Sequence, residues 1–335
     1  MRMQKPGEER TREADAAAVG RGVLGYTAVF VKRNPDWVVV LGDRIEAFAA
    51  ASAAAVGGWP LAHIHGGDRA EGVADESMRH AISKLAHLHL AATEQSRERL
   101  VRMGEDPGAV VIAGSPGVDG LADVRPLSDR DAVELGDPRV VVLLHPTGLG
   151  AREETRMARA VMNAVKDVCG ERGAGGVGAG LSGFMDPCGV LVLSPNHDVD
   201  RAIVAKELSR PRREWKRAEH LPRAVWLSLL KRMSVRGGVL VGNSSAGLIE
   251  AAALGVNVVN VGPRQAGRER GANALDVPLR EEGLMEAVAG ALAVALQRGR
   301  PPTVHPYGDG RAGERIAAEL AAREGRMMLR KRNTY

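Results

Sequence analysis

Residues 239–261 of the chain read VLVGNSSAGLIEAAALGVNVVNV. The apolar run 239–241 leads into the small-residue turn 242–247, a stretch with helical periodicity follows, and a second apolar run closes the segment. Short continuous apolar runs are typical of strands that are buried on both faces of a parallel sheet. The segment is therefore predicted to be a strand–helix–strand unit.

The same alternation extends along the rest of the chain. Further runs rich in Val and Leu are predicted to be strands at 37–41, 61–64, 88–91, 110–113, 140–144, 190–193 and 256–261. Stretches at 14–32, 76–85, 93–103, 152–168, 221–231, 245–253 and 281–296 are predicted to be helices, with Thr93 and Ser245 as N-caps. This repeated order predicts a doubly wound α/β fold.

A length of 335 residues suggests about two domains. Residues 123–138 are charged, contain prolines and lack periodicity, so they are the expected boundary. We predict domains at 1–125 and 138–300, then a C-terminal helix and basic tail at 301–335, with the helix packing on the N-terminal domain and the tail solvated. The glycine-rich residues 170–187 are predicted to form a flexible surface loop or a lid.

Composition and charge exclude several classes of protein. The net charge is +5, but Lys and Arg are scattered among nearly as many acids and aromatics are only 3%, which disfavours nucleic-acid binding. Cys169 and Cys188 are too few for a disulfide framework and form no CxxC pair, so a reducing cytoplasm is expected. We also expect no membrane partner, because no apolar run is long enough to span a bilayer.

The turn after residue 241 is the clearest candidate binding site. Ser244 and Ser245 would open a helix and present backbone N–H groups and hydroxyls, which favour an anion. Glu250 follows about one and a half turns later, where it could accept hydrogen bonds from a sugar diol. These features, with Gly242 and Gly247, predict a nucleoside diphosphate with its phosphates on the turn and its ribose at Glu250. A capped helix with an incidental acid is the alternative.

Polar residues also follow other predicted strands, where ligands bind in open α/β sheets. They are Asp43, Arg44, His65, Asp68, Glu71, Asp75, Glu76, Arg79, His80, His145, Asn196, Asp198 and Asn243. Acids and bases in one cleft suit proton abstraction and leaving-group departure. His63 and His65 share a strand face, but without a neighbouring cysteine a metal site is disfavoured. The GxGxxG matches at 20–25 and 173–178 lack a strand before and a helix after them, so no NAD site is expected.

Longer motifs resemble a known family. They are GDRIEAFAAA from Gly42, HIHGGDRAEGVADESMRHAISKLAHLHLAATE from His63, GSPGVD from Gly114, LLHPTG from Leu143, GNSSAGLIEAAALGVNVVNVGPRQAGRERGANALDV from Gly242, and PYGDGRAGERI from Pro306. In this order they resemble the hydrolysing UDP-N-acetylglucosamine 2-epimerases of bacteria. The resemblance implies a GT-B-like fold of two Rossmann-like domains, with the sugar nucleotide in the cleft between them. It implies elimination of UDP from UDP-GlcNAc or a related UDP-2-acetamido sugar and then water addition, releasing UDP and a 2-epimeric sugar such as ManNAc, on the way to sialic-type sugars. It implies no cofactor or metal, and it favours a homodimer.

Carried over by position, the resemblance assigns proton transfer to Asp43 and to the acidic pair Asp75 and Glu76, and assistance of UDP departure to His145. His65 is also expected to be catalytic and stands where the animal and sister enzymes have a glutamate. The expected substrate-binding residues are Arg44, Arg79, His80, Asn196, Asn243, Ser244, Ser245, Gly247, Glu250, Arg264 and Arg268, and Glu269 lies in the same loop as the last two.

The resemblance also has a departure. The family opens with a strand that ends in a GTRADYG-like turn, which this chain does not contain, so we expect the N-terminal domain to be incomplete. Two alternatives to the epimerase therefore stay open. A GT-B glycosyltransferase would use the same UDP-binding half, and a non-catalytic remnant would bind UDP without turnover.

Overall fold

The computed structural model describes residues 3–4, 11–69, 75–170, 188–212, 214–325, 329–331 and 334, with Asp75 described by its backbone alone. The chain divides into two compact units. The first comprises Met1–Gly120, Ala266–Glu269 and Pro306–Tyr335, and the second comprises Leu121–Gln265 and Arg270–His305. The predicted glycine-rich loop, from residue 171 onward, lies outside the described residues, as does the second GxGxxG match.

The described part of the first unit contains a four-stranded parallel sheet in the order β1-β2-β3-β4. Its strands are β1 (Val38–Leu41), β2 (Leu61–Ile64), β3 (Leu88–Ala91) and β4 (Val110–Ile112), close to the predicted runs. The two central strands are buried along their whole length. At the edge, β1 alternates instead, with Val39 44% and Leu41 57% exposed. Burial on both faces therefore marks β2 and β3 as the central strands and partial exposure marks β1 as an edge strand.

Five helices surround this sheet among the described residues. They are α1 (Arg12–Arg33), α2 (Ile45–Gly57), α3 (Asp75–Leu85), α4 (Glu94–Arg102) and, from the end of the chain, α12 (Ala312–Ala322). The first GxGxxG match lies inside α1, as its helical surroundings predicted. Buried alanines line α2, and their small side chains allow α1 to pack closely on it through Phe30 and Tyr26.

The second unit holds a six-stranded parallel sheet within its described residues, in the order β10-β9-β8-β5-β6-β7. The strands are β5 (Pro138–Leu143), β6 (Gly189–Leu193), β7 (Lys216–Ala218), β8 (Val239–Gly242), β9 (Asn257–Val261) and β10 (Ala274–Val277). The helices are α5 (Asp129–Glu134), α6 (Ala151–Cys169), α7 (Arg201–Leu208), α8 (Arg223–Arg236), α9 (Ser245–Leu248), α10 (Glu250–Leu254) and α11 (Leu284–Gln297). Valine and leucine side chains of the central strands, α6 and α11 form the core.

The sequence expectation about the end of the chain was wrong. The basic tail is not simply solvated, because Lys331 is partly buried and donates hydrogen bonds to carbonyl groups of the first unit. Cys169 and Cys188 form a disulfide that joins the end of α6 to the start of β6, with their Cα atoms 5.4 Å apart. Within the described residues, no helix has both the length and the apolar character needed to cross a membrane.

Candidate active site

Arg79 organises the carboxyl edge of the first sheet. The side chain comes from α3, and one guanidinium nitrogen pairs with the Asp43 carboxylate directly after β1. The other terminal nitrogen donates to the His65 carbonyl after β2, at 2.9 Å. Arg79 is almost fully buried, so its charge is held by these two partners. The structure thus brings three of the predicted site residues together.

His65 is fixed at both ring nitrogens. Nδ1 lies 2.8 Å from Asp68 Oδ2, and Nε2 lies 2.9 Å from Ser115 Oγ. Burial alone would raise the pKa of Asp68, but the neighbouring His65 charge and hydrogen bond outweigh it and lower that pKa. The connectivity is that of an Asp–His–Ser triad, but all three side chains are buried and Ser115 also caps the following turn. The structure therefore gives His65 a positioning contact with the turn at residue 115.

His65 also has a left-handed backbone, with φ at 63°. For a residue with a β-carbon this conformation costs about 1–3 kcal/mol and persists where the surroundings fix it, often at functional sites. Here the ring contacts, the Arg79 hydrogen bond to the carbonyl and a 3.1 Å bond from the amide to Leu90 supply that support. The backbone and ring of His65 are therefore held in a fixed position.

Glu76 and His80 form an acid–base pair one turn apart on α3. Glu76 Oε1 lies 3.5 Å from His80 Nε2 and 3.7 Å from Arg69 Nε, and both members of the pair are partly exposed. Arg44 is half-exposed and lies near Glu46 at the start of α2. The side chain of Asp75 and the whole of Glu71 lie outside the described residues. Glu76 is thus the described member of the predicted acidic pair.

The segment Ala266–Glu269 belongs to the first unit. Arg268 Nε donates to the Arg69 carbonyl at 3.2 Å, and the Glu269 carboxylate accepts from Thr93. Burial raises the pKa of Glu269, although the Thr93 hydrogen bond opposes the shift. Sequence reasoning placed Arg268 in this loop without predicting that the loop contacts Thr93 and Arg69.

His63 is a buried structural histidine. Its Nε2 lies 2.8 Å from the Gly42 carbonyl and its Nδ1 3.1 Å from Ser83 Oγ. Burial lowers its pKa to about 3, so the ring is neutral at pH 7. In the part of the chain that the structure describes, no group of three His, Cys, Asp or Glu side chains is arranged to hold a metal ion.

In the second unit, Asn243 positions His145. Its amide accepts from the His145 backbone N–H at 2.7 Å and donates to the His145 carbonyl at 2.9 Å. Asn243 is completely buried and its side chain serves His145, and its contact with substrate stays a prediction. The preceding Gly242 has φ at 150°, and a β-carbon there would overlap the Leu143 carbonyl. These two residues therefore serve the close approach of β8 to the end of β5.

Four predicted residues meet near the ends of β5, β6 and β9. The His145 Nδ1 accepts from the Asn196 backbone N–H at 3.1 Å, so a neutral ring carries its proton on Nε2. Asn196 Nδ2 donates to Asp198, which also accepts from Arg264 Nη2 at 2.9 Å. Arg264 Nε donates to the Pro146 carbonyl. His145 and Arg264 are thus linked through Asn196 and Asp198.

The turn after β8 differs in detail from the prediction. Ser244, not Ser245, is the N-cap, because its hydroxyl accepts from the Ala246 N–H. The predicted single helix breaks at Ile249 into α9 and α10. Gly247 is buried, and a β-carbon there would lie 3.0 Å from Val258, so the lack of a side chain serves close packing, and a substrate contact of Gly247 stays a prediction.

Ser244 and Ser245 remain partly exposed, in keeping with a contact to a ligand. Glu250 opens α10 and lies 3.3 Å from Arg223 on α8. The Glu250 side chain is mostly covered, whereas Arg223 is about half-exposed. The predicted binding turn therefore offers two hydroxyls and a carboxylate that already has a cationic neighbour.

A profile of the family UDP-N-acetylglucosamine 2-epimerase matches residues 8–172 and 180–321. The chain belongs to this family. It is 35% identical over 310 residues to the UDP-N,N'-diacetylbacillosamine 2-epimerase (hydrolyzing) of Legionella pneumophila, covering 90% of this chain and 74% of that protein. It is 31% identical to the polysialic acid biosynthesis protein P7 of Escherichia coli, covering 77% of this chain and 63% of the relative.

Solved structures of UDP-GlcNAc 2-epimerases share the fold. The Methanocaldococcus jannaschii enzyme in complex with UDP-GlcNAc and UDP has a TM-score of 0.73 at 18% identity, covering 92% of this chain and 82% of that one. The Neisseria meningitidis enzyme bound to UDP-GlcNAc has a TM-score of 0.71 at 16% identity, covering 96% and 84%. The epimerase fold is thus GT-B-like, with two α/β units, as the sequence predicted.

Proposed function

We propose that this epimerase is of the hydrolysing type and acts on UDP-GlcNAc or UDP-N,N'-diacetylbacillosamine. The observation that supports it most is the division of polar groups between the carboxyl ends of the two sheets. The first unit offers carboxylates beside cations and imidazole, Asp43 with Arg79 and Glu76 with His80. The second offers a diphosphate-type turn and His145 with its Nε2 proton.

The reaction assigns a task to each set. A carboxylate of the first unit takes the proton from carbon 2, the bond from carbon 1 to the UDP oxygen breaks, and a carbon 1–carbon 2 double bond forms. His145 donates a hydrogen bond or proton from Nε2 to the departing diphosphate, and Arg264 balances its charge. Water then gives its hydroxyl to carbon 1, and carbon 2 receives a proton on the opposite face. The products are UDP and the free 2-epimeric sugar.

We propose a cytoplasmic setting, because two cysteines in 335 residues is sparse usage for an oxidising compartment, and the Cys169–Cys188 disulfide must then withstand a reducing environment. The epimeric product would feed the synthesis of a nine-carbon acidic sugar. A UDP-sugar is the ligand that the bound epimerase structures favour. A homodimer stays a prediction from the family resemblance.

Turnover in D2O followed by NMR tests the proposal with both UDP-sugars. A hydrolysing epimerase releases UDP without any acceptor, and its product is inverted at carbon 2 and carries one deuterium there. A glycosyltransferase that hydrolyses its donor would retain the original hydrogen and configuration at carbon 2. UDP binding by calorimetry without turnover of either sugar would contradict the proposal and favour a binding remnant.

A further inference from the structure

The last turn of α12 and the described residues after it lie along the amino edge of the first sheet. Their contacts are with residues just before each strand, on the opposite edge from the candidate site. Before β1, Trp37 Nε1 donates to the Leu320 and Arg323 carbonyls, and before β2, Gly325 lies against Pro60. Before β3, Lys331 contacts residues 83–86. Before β4, Arg323 donates to the Gly108 carbonyl and the Thr334 N–H donates to the Gly104 carbonyl. We call the described residues 320–325, 329–331 and 334 the C-terminal strap.

Lys331 caps the carboxyl end of α3. Its ammonium group donates to the carbonyls of Ser83 at 3.2 Å, Lys84 at 2.7 Å and Ala86 at 2.8 Å. The last carbonyls of a helix have no partner within the helix, and a cation there also interacts favourably with the helix dipole. The Lys331 side chain, 245–248 residues away in the sequence, thus supplies hydrogen bonds to carbonyl groups at the end of α3.

Glu105 holds the Lys331 ammonium group in place. The Glu105 carboxylate is 1% exposed and lies 2.6 Å from both Lys331 and Lys84 and 2.9 Å from His89 Nε2. Burial would raise the pKa of Glu105, but the hydrogen bonds from His89, Lys331 and Lys84 lower it to about 2. Glu105 is therefore ionised at neutral pH and pairs with Lys331 in a site largely closed to water.

We propose that Lys331 is a positioning residue for α3, because it fixes the end of the helix that presents Glu76, Arg79 and His80. The helix is 11 residues long, about 16 Å, and acts as one rigid rod over that length. Arg79 bonds near its middle tie it to the carboxyl edge of the sheet, and Lys331 ties its end to the amino edge. The link to turnover rests on the proposed function, whereas the link to α3 does not.

The test compares Lys331→Met with Arg330→Met, since Arg330 is exposed on the same strap and its loss removes the same charge. Lys331→Met is expected to raise amide hydrogen exchange roughly 10-fold at residues 83–86 and at least threefold at residues 79 and 80. It should lower kcat about 10-fold while UDP affinity stays constant. Arg330→Met should match the wild type in all three measurements.

Faster exchange confined to residues 83–86, with normal kcat, would make Lys331 a local cap and overturn the positioning role. Unchanged exchange throughout would overturn the contact itself. If the wild type turns over neither UDP-sugar, the proposed function fails, and exchange at residues 79 and 80 still decides the role of Lys331. If Lys331→Met does not fold, Lys331→Gln removes the charge of the same side chain while its amide can still donate a hydrogen bond, and the same exchange pattern is expected at a smaller amplitude.

Discussion

The two units hold their site residues by different means. In the first unit, buried charges do so: Arg79 pairs with Asp43, and Asp68 pairs with His65. In the second unit the neutral amide of Asn243 holds His145. Arg264 and Asp198 add an ion pair there, which reaches the His145 ring through Asn196. In the first unit the candidate residues are thus positioned by ion pairs between titratable groups, whereas in the second a neutral amide positions the backbone of His145.

This difference matches the tasks proposed for the two units. Mixed charges in one place separate pKa values, which proton transfer requires. Binding a nucleoside diphosphate requires fixed donors that keep their geometry over a wide range of pH. The first unit is therefore expected to control proton transfer at carbon 2 and acid sensitivity, and the second to control affinity for UDP and, through His145, its departure.

The largest effect is expected for Asp43→Asn, which tests whether the first unit acts on the rate without acting on UDP affinity. The amide can still accept from Arg79 but cannot take a proton, so kcat should fall roughly 1,000-fold, about 4 kcal/mol, in an assay of UDP release. Affinity for UDP, measured by calorimetry, should stay within about twofold, because the proposed UDP contacts lie in the other unit.

Asp36→Asn is the matched control, since Asp36 is an exposed acid of the same unit on the amino side of β1. It should leave both kcat and affinity unchanged. A near-normal rate for Asp43→Asn would remove Asp43 from proton transfer and would leave Glu76 as the described candidate.

Mild acid should weaken the first unit more than the second. Folded His63 has a pKa lowered by burial to about 3, so below about pH 6.5 the unfolded chain takes up a proton that the folded chain does not. The contribution of neutral His63 to the free energy of unfolding is therefore complete above about pH 6.5 and falls as the pH drops towards 3. At pH 5 it is smaller by about 2 kcal/mol. The burial-lowered pKa values of His87 and His89 act in the same direction.

Amide exchange at pH 7.5 and pH 5.0, corrected for intrinsic rates, checks this in one sample. The amides of β2 should lose protection relative to those of β8. His305 is the described histidine of the second unit whose pKa burial lowers, and it is only half-buried. Glu105 does not contribute to the loss of stability at pH 5, because the stabilisation from its ionised carboxylate is lost only below its ordinary pKa of 4.5. Equal losses in β2 and β8 would contradict the comparison.

Local patterns predicted most of the fold and part of the site. Buried strands such as β2 and β8 are continuous apolar runs, and the structure has them where the runs lie. The outer strands β7 and β10 were missed, because Lys216 and Asp276 interrupt the apolar pattern that identifies buried strands. The groups after β8 were found because strand, turn and helix are adjacent in sequence.

Contacts between residues far apart in the sequence could not be predicted from local sequence patterns. His65 meets Ser115 across 50 residues, and Lys331 meets Ser83 across 248. Asn243 was expected to face substrate because it lies in the binding turn, but the side chain is turned inward to His145. A pattern that identifies one element at a time cannot show which side chain of a turn is buried against a different strand.

The smallest effect is expected for Glu250 of the second unit, where the question is whether its carboxylate binds the ribose or only pairs with Arg223. If Glu250 holds the ribose, Glu250→Ala should weaken UDP binding about 10-fold with unchanged kcat at saturation, as expected for a lost hydrogen bond to a charged group. If Glu250 serves only its ion pair with Arg223, the pair is partly exposed and worth at most about 1 kcal/mol of stability, with no effect on affinity. Arg223→Ala separates the two cases. It removes the pair but leaves the carboxylate, so calorimetry should find UDP affinity retained in Arg223→Ala and reduced in Glu250→Ala. Equal affinities in the two variants would exclude the ribose contact.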